Sequence, residues 1–149
     1  MPARRVTARQ RVRYAETDGF GVVYYANYLV WFEVGRTAYP RDVGLPYRGL
    51  EERGLHFPVT DVECRISNPA RYDDEIDIVT WIDEIRSREV TFEYEIRSGT
   101  VTLAVGRTVH MLVDTGGRVR TMPVWLRRGL SETLTEGTAP SSFPAPGID

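Results

Sequence analysis

The stretch from Tyr14 to Tyr39, YAETDGFGVVYYANYLVWFEVGRTAY, constrains the fold of this chain more than any other. Tyr25, Tyr28 or Leu29, Phe32, Gly35 or Arg36, and Tyr39 recur at three- and four-residue steps, which places them on one face of a helix. The helix is expected to start near Ala26 or Asn27, with Asn27 as its cap. It is expected to end or kink at Tyr39, because Pro40 lacks an N–H and its ring clashes with the carbonyl of Arg36. Ahead of the helix, Glu16-Thr17-Asp18-Gly19 forms a polar turn with two carboxylates. Free N–H groups and the dipole of a helix start can polarise a carbonyl while a nearby carboxylate attacks it or activates water.

The rest of the chain reads mainly as strands. Val6, Ala8, Val12 and Tyr14 alternate with Thr7, Arg9, Arg11 and Arg13, the pattern of a half-buried strand. Val59 to Ile66 alternates too, with Val62, Cys64 and Ile66 on its apolar side, where Cys64 is expected as a small buried hydrophobe. Glu75 to Ile85 has apolar residues on both parities, which predicts a bulge or two buried faces. Glu89 to Arg97 alternates with Val90, Phe92, Tyr94 and Ile96 on one side. Val101 to Val113 is apolar on odd positions, and Ser98-Gly99-Thr100 is a hairpin turn between those two segments. A short helix is expected over Pro46 to Arg53, stopped by Gly54, and an amphipathic one from Pro123 with Val124, Trp125, Leu126 and Leu130. One strand, one helix and four strands imply an α+β fold: a five-stranded antiparallel sheet with the helix on one face.

Composition narrows the function. At 149 residues the chain fits one domain, expected over 1–135. Residues 136–149 read as a disordered Gly-, Ala-, Pro- and Ser-rich tail. A net charge of −2 offers no electrostatic footprint for nucleic acid. No apolar run is long enough to span a bilayer, and the N-terminus lacks a secretory pattern. A single cysteine suits a reducing, cytoplasmic setting. His56, His110 and Cys64 make no metal-ligand spacing, so no metal is expected.

Asp18 to Tyr28, DGFGVVYYANY, resembles the D-x-x-G-x-V-[FWY]-[HY]-x-N-Y signature of hotdog-fold thioesterases, the 4-hydroxybenzoyl-CoA thioesterase and YbgC-like group. Phe57-Pro58-Val59 and Pro69-Ala70-Arg71-Tyr72-Asp73-Asp74 are similar to that group as well. The resemblance covers roughly residues 9 to 130. It implies a hotdog fold, a sheet wrapped around a central helix, and an acyl-CoA thioesterase that needs no cofactor. Its substrate would be an acyl- or aroyl-CoA thioester and its products the free acid and coenzyme A.

The resemblance also assigns roles. On its own, Asp18 reads as a turn-former beside Gly19; the signature makes it the catalytic carboxylate, as nucleophile or general base. Glu16 falls outside the acidic position and is taken as a solvated neighbour. Tyr25 stands where YbgC-like members carry His; its phenol is a poor base at neutral pH, so its backbone N–H is the expected donor to the thioester oxygen. Arg86 and Arg88 flank Ser87 in a basic turn that the resemblance makes a phosphate site for coenzyme A. Family members pair subunits, so a homodimer or a dimer of dimers is implied, with Phe57, Pro58 and Val59 facing Asp18 and Tyr25 of the partner. An acyl-thioester-binding protein and a dehydratase are the alternatives. A dehydratase would want a His beside the acid along the helix, and the helix carries none.

Overall fold

A computed structural model describes residues 3–44 and 47–134. The expectations for Pro46 and for the tail at 136–149 fall outside the described residues. Five strands form one antiparallel sheet: β1 (Arg5–Arg11), β3 (Val59–Ile66), β4 (Glu75–Ile85), β5 (Glu89–Ser98) and β6 (Val101–Met111), in the order β1-β4-β5-β6-β3. α1 (Ala26–Val43) lies on one face of it, α2 (Tyr47–Glu52) follows, and α3 (Val124–Glu132) comes last. This is the hotdog arrangement expected from the alternation of the strands. A two-stranded sheet of β2 (Leu55–His56) and β7 (Val113–Asp114) was not anticipated, since two-residue strands carry no periodicity.

β4 carries the bulge that its mixed parity predicts, between Ile82 and Glu84. The β5–β6 hairpin closes over Gly99 at φ 61°, a left-handed setting that glycine adopts without strain.

The helix does not stop at Pro40. It continues to Val43 and ends on Gly44 in the left-handed conformation, whose N–H bonds the Pro40 carbonyl. A proline inside a helix costs about 3 kcal/mol. Here Tyr39 and Val43 are fully buried against Ile82, Leu112 and Leu126, and burying two such side chains is worth a comparable amount. Asn27 is not the cap either. Its Nδ2 donates to the Glu16 carbonyl at 2.9 Å and ties the second helical residue back to the loop.

The helix rests on β1, β4 and β5. Gly35 permits the contact with β4: a Cβ there would run into the Thr80 hydroxyl and the Ile78 side chain. Phe32 extends the cover to Gly106 of β6, where a Cβ would meet its ring. Pairing of Tyr94 with Gly106 and of Val90 with His110 turns the even positions of β6 toward the helix: Ala104, Gly106, Thr108 and His110. The odd apolar row, with Val105 and Val109, therefore faces outward, opposite to what hydrophobicity alone suggests. β3 lies beyond the helix altogether and is exposed along its whole length, so Cys64 is an exposed thiol, not a buried one. Strand parity says which side a residue faces, not whether anything covers it.

Candidate active site

The loop from Thr17 to Val23 is a tight turn closed by its own backbone. Asp18 N–H bonds the Val22 carbonyl at 2.8 Å, Thr17 and Val23 bridge, and Gly21 supplies a φ of 81°. Asp18 Oδ1 accepts the Phe20 N–H at 2.8 Å, leaving Oδ2 without a hydrogen-bond partner among the described residues. The carboxylate is only half-buried. The segment Pro69 to Asp74 clamps this loop from outside. Ala70 accepts the Val23 N–H at 2.8 Å and donates its own N–H to the Tyr28 hydroxyl at 3.0 Å, while Val22 bridges Arg71.

Tyr25 caps α1 with its ring exposed and set against Tyr24, the centroids 4.7 Å apart. Its backbone N–H meets no acceptor among the described residues. An unpaired amide at the positive end of an 18-residue helix is a ready donor to an oxygen that gains negative charge. The structure thus brings Asp18 and Tyr25 to one loop–helix junction.

Glu16 is not solvated. It is 2 % exposed, its Oε2 accepts the Trp31 Nε1–H at 2.9 Å and its Oε1 accepts the Arg13 N–H at 2.8 Å. Its carbonyl meanwhile holds Tyr24 N–H and Asn27 Nδ2–H, both at 2.9 Å. Glu16 is the peg on which the loop hangs. The sequence signal for it was Trp31, fifteen residues on, whose indole N–H needs an acceptor once the ring is buried.

The remaining candidates lie at the other end of the sheet. Val12, leading into the Asp18 loop, bonds Asp74 beside the start of β4. Arg86 and Arg88 follow the end of that strand, eleven residues on, about 30 Å away. Phe57, Pro58 and Val59 sit at that far end too, since Val59 pairs with His110 and Met111 N–H bonds the Pro58 carbonyl at 3.2 Å. Within one chain, then, two groups form: Asp18 with Tyr25, and Phe57-Pro58-Val59 with Arg86 and Arg88. Both arginines are exposed, and among the described residues the Arg86 side chain pairs only with Glu84, at 3.3 Å on the surface.

His110, considered in the sequence only as a metal ligand, is buried to 2 % by the structure. Nδ1 lies 3.0 Å from the Phe57 carbonyl and Nε2 2.8 Å from the Thr108 hydroxyl. Burial pushes its pKa down to about 4; the Arg36 charge adds to this and the Phe57 carbonyl opposes it. The unfolded chain therefore binds a proton more readily than the native one below pH 6.5. Stability that is complete above that pH should fall by roughly 3 kcal/mol as the pH drops to 4. Denaturant midpoints across this window should show that slope, and His110→Asn should flatten it. An equal slope in both proteins would place the titration elsewhere.

A sheet folded about its helix, with a carboxylate at the helix start, is the arrangement of a hotdog-fold enzyme. The chain belongs to the thioesterase-like superfamily, which it matches over residues 12–142. It is 40% identical over 104 residues to the putative acyl-CoA thioesterase YneP of Bacillus subtilis, covering 69% of this chain and 75% of that one. With the acyl-CoA thioesterase YbgC of Haemophilus influenzae it shares 34% identity over 107 residues, 71% of this chain and 79% of the other. The crystal structure of hypothetical protein TT1821 from Thermus thermophilus superposes with a TM-score of 0.82 at 34% identity, over 89% of this chain and 99% of that one.

Proposed function

We infer that the protein is an acyl-CoA thioesterase, hydrolysing a thioester to a carboxylic acid and free coenzyme A. The observation that carries the site assignment is the junction itself: a half-exposed Asp18 carboxylate with one oxygen unpartnered, beside a helix start whose Tyr25 amide is vacant. The Tyr25 N–H takes the thioester oxygen and polarises the carbonyl. Asp18 either attacks the carbon or draws a proton from the attacking water, and coenzyme A leaves as the thiol. A panel of acyl-CoA thioesters assayed for thiol release tests this. Turnover of at least one member is expected; binding without release in every case would leave an acyl-thioester-binding protein.

The active site spans two subunits. Asp18 and Phe57 are at opposite ends of one sheet, so they serve one substrate only if a partner supplies the second group. The edge strand β3 supports this, with Val62 and Ile66 both more than two-fifths exposed and its outer backbone edge open to pairing. On the outer sheet face Arg5, Trp81, Glu93, Arg107 and Glu63 form one cross-strand row bordering a groove of about 680 Å³. Alternating charges of this kind suit a second dimer laid back to back, giving a homotetramer. Light scattering at micromolar concentration should show no monomer; a 17 kDa species alone would dismantle the shared site.

Arg86 and Arg88 hold the phosphates of coenzyme A, and the exposed contact with Glu84 is too weak to compete. Replacing both by Ala should raise KM several-fold with kcat nearly unchanged, and the difference should shrink in high salt. Equal KM in the two proteins would make the turn merely solvated. A cytoplasmic location fits the lone free thiol of Cys64 and a coenzyme A substrate.

A further inference from the structure

Three buried side chains, Tyr94, Thr108 and His110, and the half-buried Arg36 of α1 form one hydrogen-bonded line. Arg36 Nη1 lies 3.4 Å from the Tyr94 hydroxyl, that hydroxyl 2.6 Å from Thr108 Oγ1, that oxygen 2.8 Å from His110 Nε2, and His110 Nδ1 3.0 Å from the Phe57 carbonyl. The two ends decide every proton in between. A carbonyl only accepts, so His110 carries its proton on Nδ1 and offers Nε2 as acceptor. Thr108 therefore donates to His110, Tyr94 donates to Thr108, and Arg36, which only donates, gives to the Tyr94 oxygen. The line runs one way, each bond polarising the next toward Phe57. Protonating His110 would make Nε2 a donor and end the Thr108 donation to it.

The far end of this line is where β3 leaves regular pairing. The ladder with β6 slips between Val59 and Asp61, and Phe57 and Pro58 lie between β2 and β3, in neither ladder. Their backbone is caught instead by the His110 ring and by Met111 N–H. Phe57 also borders an apolar cavity of about 50 Å³ with Arg36, Phe92, His110 and Leu130. Water occupies roughly 30 Å³ a molecule, so there is slack beside the ring, against which the His110 bond and the Met111 N–H tether the segment.

We propose that His110 is a positioning residue for the hydrolysis: through the line from Arg36 it holds Phe57 to Val59 at the setting in which that segment closes on the substrate. The proposal rests on the reading that this segment touches substrate, and the test separates the two. Asn at 110 places an N–H near the Nδ1 position and can still reach Phe57; Gln extends toward the Nε2 position, meeting Thr108 and leaving Phe57 untied.

On the full chain, with the best acyl-CoA thioester of the panel, His110→Gln should raise KM at least about fivefold with kcat within about twofold. His110→Asn should bring KM back to within about twofold of the parent. A purely structural histidine would instead show similar thermal unfolding losses in both variants and one common KM, and that result overturns the proposal. Thr108→Val, which keeps the volume and removes both the O–H donated to Nε2 and the oxygen that accepts from Tyr94, serves if Gln at 110 prevents folding; it should raise KM in the same direction, and an unchanged KM there counts against the line. Phe57→Ala is the arm for the premise. If it leaves KM unaltered, the segment does not touch substrate and the proposal falls with it; if it raises KM while His110→Gln does not, the segment stands and the line is refuted.

Discussion

Asp18→Asn is expected to lower kcat by at least about a hundredfold while leaving KM and thermal stability close to the parent values. The structure makes this substitution unusually clean. Asp18 shapes its loop through one hydrogen bond, Phe20 N–H to Oδ1 at 2.8 Å, and an asparagine Oδ1 accepts that bond equally well. The Asp18 backbone, bonded to Val22, is untouched. What disappears is the charge and basicity on the oxygen left without a partner among the described residues. Thiol release from an acyl-CoA thioester under single-turnover conditions reads the chemical step directly, apart from product release. If Asp18→Asn keeps more than about a tenth of the parent rate, the barrier has moved by less than about 1.4 kcal/mol and the carboxylate is not the catalyst.

The sheet was legible because strands that bury one face must alternate, and β1 and β5 do so cleanly. The loop–helix junction was legible because glycines, Asn27 and aromatics stand in a fixed order there. What escaped was whatever long-range packing decides. Pro40 is a local stop signal, but it loses to the burial of Tyr39 and Val43 on either side of it. Along β6 hydrophobicity points to the odd residues, whereas Phe32 requires the glycine at 106 beneath its ring and thereby turns Thr108 and His110 inward. Cys64 was misplaced because the helix covers only part of a sheet five strands wide.

The same blindness to long-range partners has a consequence for function. Two residues that looked idle, Glu16 and His110, each fasten one half of the proposed site: Glu16 the Asp18 loop, His110 the Phe57 carbonyl. Each does so from the buried side, and each depends on partners far along the chain. The residues proposed to face substrate are few, and most of them are exposed. Those that hold them are polar groups, fully paired in the interior, where an unmade hydrogen bond is expensive.

Glu16→Gln should therefore be far from neutral. The carboxylate presents two acceptor oxygens to Arg13 N–H and Trp31 Nε1–H, with Arg13 Nε paired to Oε1 at 3.5 Å, in a site 2 % exposed. Glutamine offers one oxygen, and its NH2 must then face an N–H. Leaving such a buried donor unpaired costs about 1–3 kcal/mol, which should appear as a lower denaturant midpoint at constant slope. The effect on rate follows from the backbone of the same residue, since its carbonyl holds Tyr24 N–H and Asn27 Nδ2–H and so sets the loop against the helix start. If the loop shifts by even a fraction of an ångström, Asp18 and the Tyr25 amide no longer address the same carbonyl. A fall in kcat of roughly ten- to a hundredfold is expected. KM should move little, because the proposed coenzyme A contacts, Arg86 and Arg88, lie elsewhere. Trp31→Phe frees only one of the two oxygens and should fall between Glu16→Gln and the parent in both stability and kcat. Parent-like stability and turnover in Glu16→Gln would mean that the loop holds its shape without this peg, and that the turn closed by Asp18 and Val22 is sufficient by itself.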